Sequence, residues 1–373
     1  MGNRFFVGAL TVALLTAGSA GGVRAEAATG PSVRAAAAIL VDAADGRVLF
    51  ERSADEQRAI ASTTKILTAL VVLETSKLSD MVEASARAEQ VGADDPLVTE
   101  LELTRGERLS VEDLLYGLLL RSANDAAVAL AEHVAGSEQA FAKQMTVRAK
   151  KAGATQSSFV NPHGFDHPDH YSSARDLALI TLQAWRIPEF KKMVATKEHD
   201  IPWPGHPSPR RLINRNQMLG SYAGADGVKT GQTRASGKSL VASATREGES
   251  RLSVVLSSSD PSADSRALLD FGFEGFRRTA VLTKNVAWGF VTTGTGRSLV
   301  VKPSRTVSLL VERGTHPPAA RFLPKQQLLV VDAPNSRPTR VRATLSCVET
   351  CSSVKVNPLG KILATLTSVI GWF

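Results

Sequence analysis

The sequence predicts a mixed α/β domain, a smaller all-β domain after it, and an amphipathic helix at the C-terminus. Three observations carry this. Strand-like runs lie on both sides of a block of helical patterns, so an antiparallel sheet completed by the two ends of the segment would enclose a helical lobe. From about residue 277 helical periodicity vanishes and short Val/Leu/Thr runs alternate with Gly and Pro. In the last residues apolar side chains return at helical spacing. With 373 residues, 43% hydrophobic and 21% charged, the chain has room for two domains and a full core, which excludes a disordered or fibrous protein. No apolar run reaches the ~18–20 residues of a membrane span. The net charge of +8 is scattered, without a nucleic-acid-binding signature, so nucleic acid is not expected as a partner. A diffuse positive charge suits an anionic bacterial envelope better.

Taken in order, Arg4, an apolar run over 5–18, and a Val23-x-Ala25 pattern among small residues read as a secretory signal, residues 1–25, with its cleavage site. The stretch AAAAILVDAADGRVLFER from Ala35 reads as a hairpin turning at Asp45-Gly46. Residues 61–76 are apolar almost all round after the first turn, which predicts a helix buried mid-domain. Residues 83–108 read as loop-rich. Ser110 and Asp113 open a helix with Leu114, Leu115, Leu118 and Leu119 on one stripe. A second helix runs from about Asn124 to Ala135 and stops at Gly136, a third follows Ser137 to Gly153, and a fourth starts at Ser173 and Asp176. Residues 196–226 are Pro/Gly-rich and read as irregular. GVKTGQT, SLVASAT and LSVVLSS read as neighbouring antiparallel strands, followed by a helix, DSRALLDFGFEGF.

Three short patterns carry chemistry. Ser62 and Lys65, at i and i+3, share one face at the start of the buried helix. A serine hydroxyl needs an adjacent base, and an amine serves when burial and other cations lower its pKa. The helix N-terminus adds backbone N–H groups suited to an oxyanion. Alone the pattern is weak, since Ser352 to Lys355 repeats it in the β-rich tail and a helix-start serine with a surface lysine explains either. Ser122-Ala123-Asn124 lies between two helices, where both polar residues also read as caps, and Asp125 reads as a helix-start dipole residue. Lys229-Thr230-Gly231 sits on a predicted strand, where Gly admits close backbone approach and Lys and Thr suit an incoming chain's carboxylate.

Ser-x-x-Lys, Ser-x-Asn and Lys-Thr-Gly in this order resemble the low-molecular-mass penicillin-binding proteins, the serine-type D-alanyl-D-alanine carboxypeptidases. The likeness extends over roughly residues 35–275, through LLYGLLLRSANDAAVALAEHVAGS, FVNPHGFDHPDHYSSARDLALI and NRNQMLGSYAGADGVKTGQT. It implies a β-lactamase/transpeptidase-like domain over 32–276, an all-β domain over 277–357, and removal of the terminal D-alanine from peptidoglycan stem peptides. Ser62 resembles the nucleophile, Lys65 its base, and Ser122 a proton relay to the leaving D-alanine. Asn124 resembles the residue holding the substrate backbone. Lys229 resembles the residue setting the field of the cleft, with Thr230 on the terminal carboxylate and the N–H groups of Ser62 and Gln232 as the oxyanion hole. Gln232 stands where the family often has His, and the segment Ser257 to Asp270 is short where relatives often place a carboxylate-binding Arg, so that role is not assigned. β-Lactams are implied as covalent inhibitors. Enzymes sharing such a site include D,D-endopeptidases and β-lactamases; a non-catalytic peptidoglycan-binding protein is the alternative of another class. No cofactor is expected. His163, His167 and His170, with Asp166 and Asp169 between them, lack an H-E-x-x-H or helical ligand pattern, so no metal is assigned.

Two further expectations concern the tail. In an exported protein Cys347 and Cys351 are expected to form a disulfide across a tight loop. Over residues 358–373, Leu359, Ile362, Leu363, Leu366, Ile370 and Phe373 form one stripe with Lys361, Thr365 and Ser368 off it. Such a helix is ~22 Å long against a ~30 Å hydrocarbon core. It is expected to lie in the membrane interface, with Trp372 at headgroup depth, as a peripheral anchor on the outer face of the cytoplasmic membrane.

Overall fold

A computed structural model describes residues 30–92, 98–292, 298–316, 318–323, 326–331 and 339–347. The hairpin expected around Asp45 forms from β1 (Ala37–Asp42) and β2 (Val48–Arg52). Asp42 closes its turn by accepting the amides of Ala44 at 3.0 Å and Asp45 at 3.2 Å. The buried apolar run starts as a 3-10 turn, Ala61–Thr64, and continues as α1 (Lys65–Thr75). The loop-rich stretch after it holds only β3 (Met81–Glu83), α2 (Ala86–Glu89) and β4 (Arg108–Ser110), with β3 and β4 paired.

The helical lobe follows. α3 (Val111–Tyr116) passes into a π-helical turn, Gly117–Arg121, and α4 (Asn124–Ala135), α5 (Glu138–Lys151) and α6 (Ala174–Ala184) complete it. The starts of α3, α5 and α6 are fixed by the serines expected to cap them. Ser110 accepts from the amide of Asp113 at 3.1 Å, Ser137 from Ala140 at 3.2 Å, and Ser173 from Asp176 at 3.1 Å.

The expectation of an irregular stretch over 196–226 is corrected. After α7 (Pro188–Ala195), β5 (Glu198–Ile201) and β6 (Arg210–Ile213) pair as a hairpin. The prolines that suggested irregularity, Pro202, Pro204, Pro207 and Pro209, all fall in the connecting loop. Arg210 lies under Trp203 and pairs with Glu107 at 3.0 Å, which pins the hairpin to the body.

Next come β7 (Ala225–Thr233), β8 (Gly237–Arg246) and β9 (Glu249–Ser258), antiparallel neighbours as expected, then α8 (Pro261–Gly275). The main sheet runs β2-β1-β9-β8-β7, so both ends of the segment complete it. One core packs α1, α4 and α6 against one face through Ile66, Leu70, Val128, Ile180 and Val254. A second core, with Leu268 and Leu269 of α8 over Leu40, Leu240 and Val255, covers the other. This explains why every residue of β1 is buried.

β10 (Phe276–Leu282) begins where α8 ends, and the chain is β-structured from there. β11 (Gly289–Thr292), β12 (Ser298–Pro303), β13 (Val307–Glu312), β14 (Ala320–Leu323), β15 (Leu328–Val331) and β16 (Thr339–Cys347) follow. β10 pairs with β13, and a five-stranded sheet runs β11-β12-β16-β15-β14. Their core includes Val281, Trp288, Val301, Leu329 and Val331. The signal over 1–25, Cys351 and the helix expected over 358–373 lie outside the described residues.

Candidate active site

The short turn before α1 leaves Ser62 half-buried and Lys65, one turn on, fully buried. Two glycines let other backbone reach this turn. A Cβ on Gly231 of β7 would stand 3.1–3.2 Å from Ile60 O, Thr63 N and Ser62 N. A Cβ on Gly164, whose φ is +95°, would overlap Ala61 O at 2.0 Å. The strand carrying Lys-Thr-Gly and the loop over 161–170 thus close on the serine from two sides.

Lys65 Nζ lies 2.6 Å from Asn124 Oδ1, 2.6 Å from the His163 carbonyl and 3.0 Å from Ser62 Oγ. A neutral amine has two N–H groups and one lone pair. Donating both hydrogens to the two carbonyl oxygens leaves the lone pair for the Ser62 hydroxyl proton. The neutral form is favoured: burial pushes the Lys65 pKa well below its usual range, the nearby charges of Lys229 and Arg215 push it further, and Asp125 opposes them. Lys229, also buried, falls to about 7, from burial first and then the field of Arg215.

Ser122 ends the π-helical turn with a left-handed φ of 68°, a conformation that turns the chain sharply into α4. Its carbonyl accepts from Thr99 Oγ1 at 3.1 Å. Asn124 occupies the first turn of α4 yet its side chain does not cap the helix; it turns inward to Lys65. Asp125 is buried behind it and accepts the amides of Leu101 at 2.8 Å, Leu103 at 3.1 Å and Ala126 at 2.8 Å.

Lys229, Thr230 and Gln232 lie on β7, an outer strand of the sheet, so one side of its backbone is open to a partner strand. Lys229 Nζ donates to Thr230 O at 3.0 Å, Thr230 is half-buried and the Gln232 side chain is exposed. The structure thus joins Ser62, Lys65 and Asn124 by direct hydrogen bonds and sets Lys229 within their electrostatic reach, while Ser122 shares the Asn124 turn. Three contributors escaped the sequence reading. The His163 carbonyl has no sequence signal, because every residue carries one. Asp125 reads as an ordinary helix-start acid, and Arg215 is one arginine among many.

The three histidines have separate tasks. His170 Nδ1 accepts the Val160 amide at 3.2 Å, so its Nε2–H donates to Thr64 Oγ1 at 2.8 Å; burial pushes its pKa down to about 3. His163 Nδ1 accepts from Phe165 N at 3.3 Å and its Nε2 faces Glu138 Oε2 at 3.2 Å. His167 is exposed, with Asp169 at 3.9 Å. Asp166 instead ties its loop to the turn after β7, accepting from Thr233 Oγ1 at 2.6 Å and Ala235 N at 3.2 Å. The one arginine of α8, Arg266, donates to Ser221 Oγ at 2.7 Å.

Residues 24–260 match the family model described as D-alanyl-D-alanine carboxypeptidase. The chain is 33% identical to D-alanyl-D-alanine carboxypeptidase DacF of Bacillus subtilis over 75% of its own length and 73% of the relative's. It is 39% identical to DacC of Escherichia coli over 66% of this chain and 63% of the relative, just under two thirds of that protein's length. Among solved structures it is similar to penicillin binding protein 5 from Haemophilus influenzae, with a TM-score of 0.70 and 27% identity over 86% of this chain and 99% of that one. A Streptomyces DD-transpeptidase gives a TM-score of 0.62 and 31% identity over 66% and 99%.

Proposed function

The chain belongs to the D-alanyl-D-alanine carboxypeptidase family, and from that premise we propose how its residues carry out the hydrolysis. Ser62 Oγ attacks the carbonyl joining the last two D-alanines of a peptidoglycan stem peptide as Lys65 takes the hydroxyl proton. The tetrahedral oxyanion is held by the N–H groups of Ser62 and Gln232. The C–N bond then breaks, the proton passes through Ser122 to the leaving amine, and D-alanine departs. Water hydrolyses the Ser62 ester and restores the hydroxyl. Asn124 holds both Lys65 and the substrate backbone, Thr230 receives the terminal carboxylate, and Lys229 supplies the positive field. The observation that carries this reading is the amine of Lys65, with carbonyl acceptors for two hydrogens and the Ser62 hydroxyl, its oxygen 3.0 Å away, to donate its hydrogen to the lone pair.

A β-lactam presents a similar reactive amide carbonyl, and when its C–N bond breaks the amine stays tethered to the acyl-enzyme. Fluorescent penicillin is therefore expected to label the protein covalently, with the adduct on the Ser62 peptide and none in Ser62→Ala. Folded protein that takes no label would overturn the mechanism.

We further propose that the protein works outside the cytoplasm. The apolar segment and cleavage pattern of residues 1–25 support export, and the stripe over 358–373 supports peripheral anchoring, with the all-β part from 277 as the spacer. Deleting 358–373 should move the protein from the membrane pellet to the soluble fraction while penicillin labelling persists; a truncated protein that still pellets contradicts the anchor. Cys347 and Cys351 are proposed to be bonded, for which intact mass with and without reductant is the test.

A further inference from the structure

We infer that Asp125 is a positioning residue for the proposed acyl transfer: its carboxylate fastens the strip 99–103 to the turn carrying Ser122 and Asn124, and it is the fixed negative charge behind Lys65. The inference rests on the reading of Lys65 as the base and adds what sets that base.

The geometry has two parts. Asp125 is 1% exposed, and the amides of Leu101, Leu103 and Ala126 hold its oxygens. Two of the three belong to a segment also attached to the turn by Asn124 N to Thr99 O at 2.8 Å, Thr99 Oγ1 to Ser122 O at 3.1 Å and Arg121 Nε to Glu100 O at 2.8 Å. One carboxylate therefore ties the 99–103 strip to the turn that carries Ser122 and Asn124. Burial pushes the Asp125 pKa up from its usual value, and the three amides and the Arg210 charge work against that rise; amide donors hold the ionised carboxylate without neutralising it, unlike an ion pair with a lysine or arginine. Its neighbour in sequence, Asn124, is the 2.6 Å partner of Lys65.

Lys65 is faced by charged or titratable groups from every side: Lys229 on β7, Arg215 on the segment before it, His163 and His170 on the loop over 161–170, and Asp125 on α4. The Lys229 and Arg215 charges oppose protonation of Lys65, and Asp125 favours it. Asp125 itself faces Arg210, which is paired with Glu107, and Glu100. Removing the Asp125 charge takes support from the ammonium form, so the amine gives up its proton at lower pH.

The test is the pH dependence of Ser62 acylation by fluorescent penicillin. In the wild type the acid limb reports Lys65 losing its proton. Asp125→Asn should lower the plateau and move that limb down by about half a pH unit or more. Asp125→Glu keeps the charge but displaces the acceptors, so its plateau falls while the limb stays at the wild-type pH. Asp125→Ser, neutral and smaller, replaces the Asn variant if that chain does not fold. A folded neutral variant with the limb unmoved, or a Glu variant whose limb moves as far as the Asn one, overturns the inference and leaves the mechanism standing. A wild type that is never labelled defeats the mechanism itself.

Discussion

In the proposed mechanism the two buried amines take opposite protonation states: Lys65 is neutral to accept a proton, and Lys229 is charged to supply the field that draws in the substrate carboxylate. Burial lowers both, and Lys229 titrates at about 7. Its positive charge is present below that pH and lost above it. KM for a D-Ala-D-Ala peptide should therefore rise as pH climbs through about 7 in wild type, and the rise should vanish in Lys229→Arg. The same depression has a stability sign. The unfolded chain holds this proton up to the ordinary lysine range, so the folded state gains stability as pH rises from about 7 towards 10.5. Lys229→Met should raise the melting temperature at neutral pH by about 2–5 °C while slowing acylation, and a lowered melting temperature would count against this cost. The side chains that meet at the site, Ser62, Lys65 and Asn124, were legible because they stand at fixed spacings on elements with clear periodicity. The His163 carbonyl was not, since what distinguishes it is a backbone path that Gly164 alone permits.

Elements reach the site by two kinds of attachment. The starts of α3, α5 and α6 are set locally by serines just ahead of them, so they could be read from the chain; Ser110→Ala should cost about 1 kcal/mol in denaturant unfolding. The loop over 161–170 is set non-locally, by Asp166 on Thr233 and Ala235. Asp166→Ala frees the loop that brings the His163 carbonyl to Lys65, and kcat/KM should fall about 10-fold with little change in melting temperature. An unchanged kcat/KM would mean that Gly164 and the buried histidines hold the loop unaided. The β5–β6 hairpin was not legible for a related reason. Its strands are four residues each, and a proline-rich loop masks their alternation. What stabilises it is Arg210 meeting Glu107, 103 positions away.

At the scale of the whole molecule, the order of the main sheet could be anticipated from strands on both sides of a helical block, but its junction with β10 could not. Asp42, buried at the end of β1, accepts from Arg251 Nη1 at 2.6 Å and from Arg278 Nη2 at 2.7 Å. Glu249 joins Arg251 and accepts the Arg278 amide at 3.1 Å, while Arg47 donates to Leu310 O on β13. These partners are brought together by the folded chain over separations of up to 263 positions. Asp42→Asn leaves the Arg251 charge buried with less compensation and should destabilise the protein by about 3–5 kcal/mol. Arg278→Ala, at a partly exposed group, should cost about 1 kcal/mol or less but speed proteolysis near residue 276. Equal proteolysis in wild type and variant would remove Arg278 from the junction. If this assembly releases D-alanine through Ser62, mass analysis of a D-Ala-D-Ala-terminated stem pentapeptide incubated with wild type and Ser62→Ala will show it. Tetrapeptide and free D-alanine are expected from the wild type alone; an intact pentapeptide after incubation with folded wild-type protein would overturn the proposed reaction.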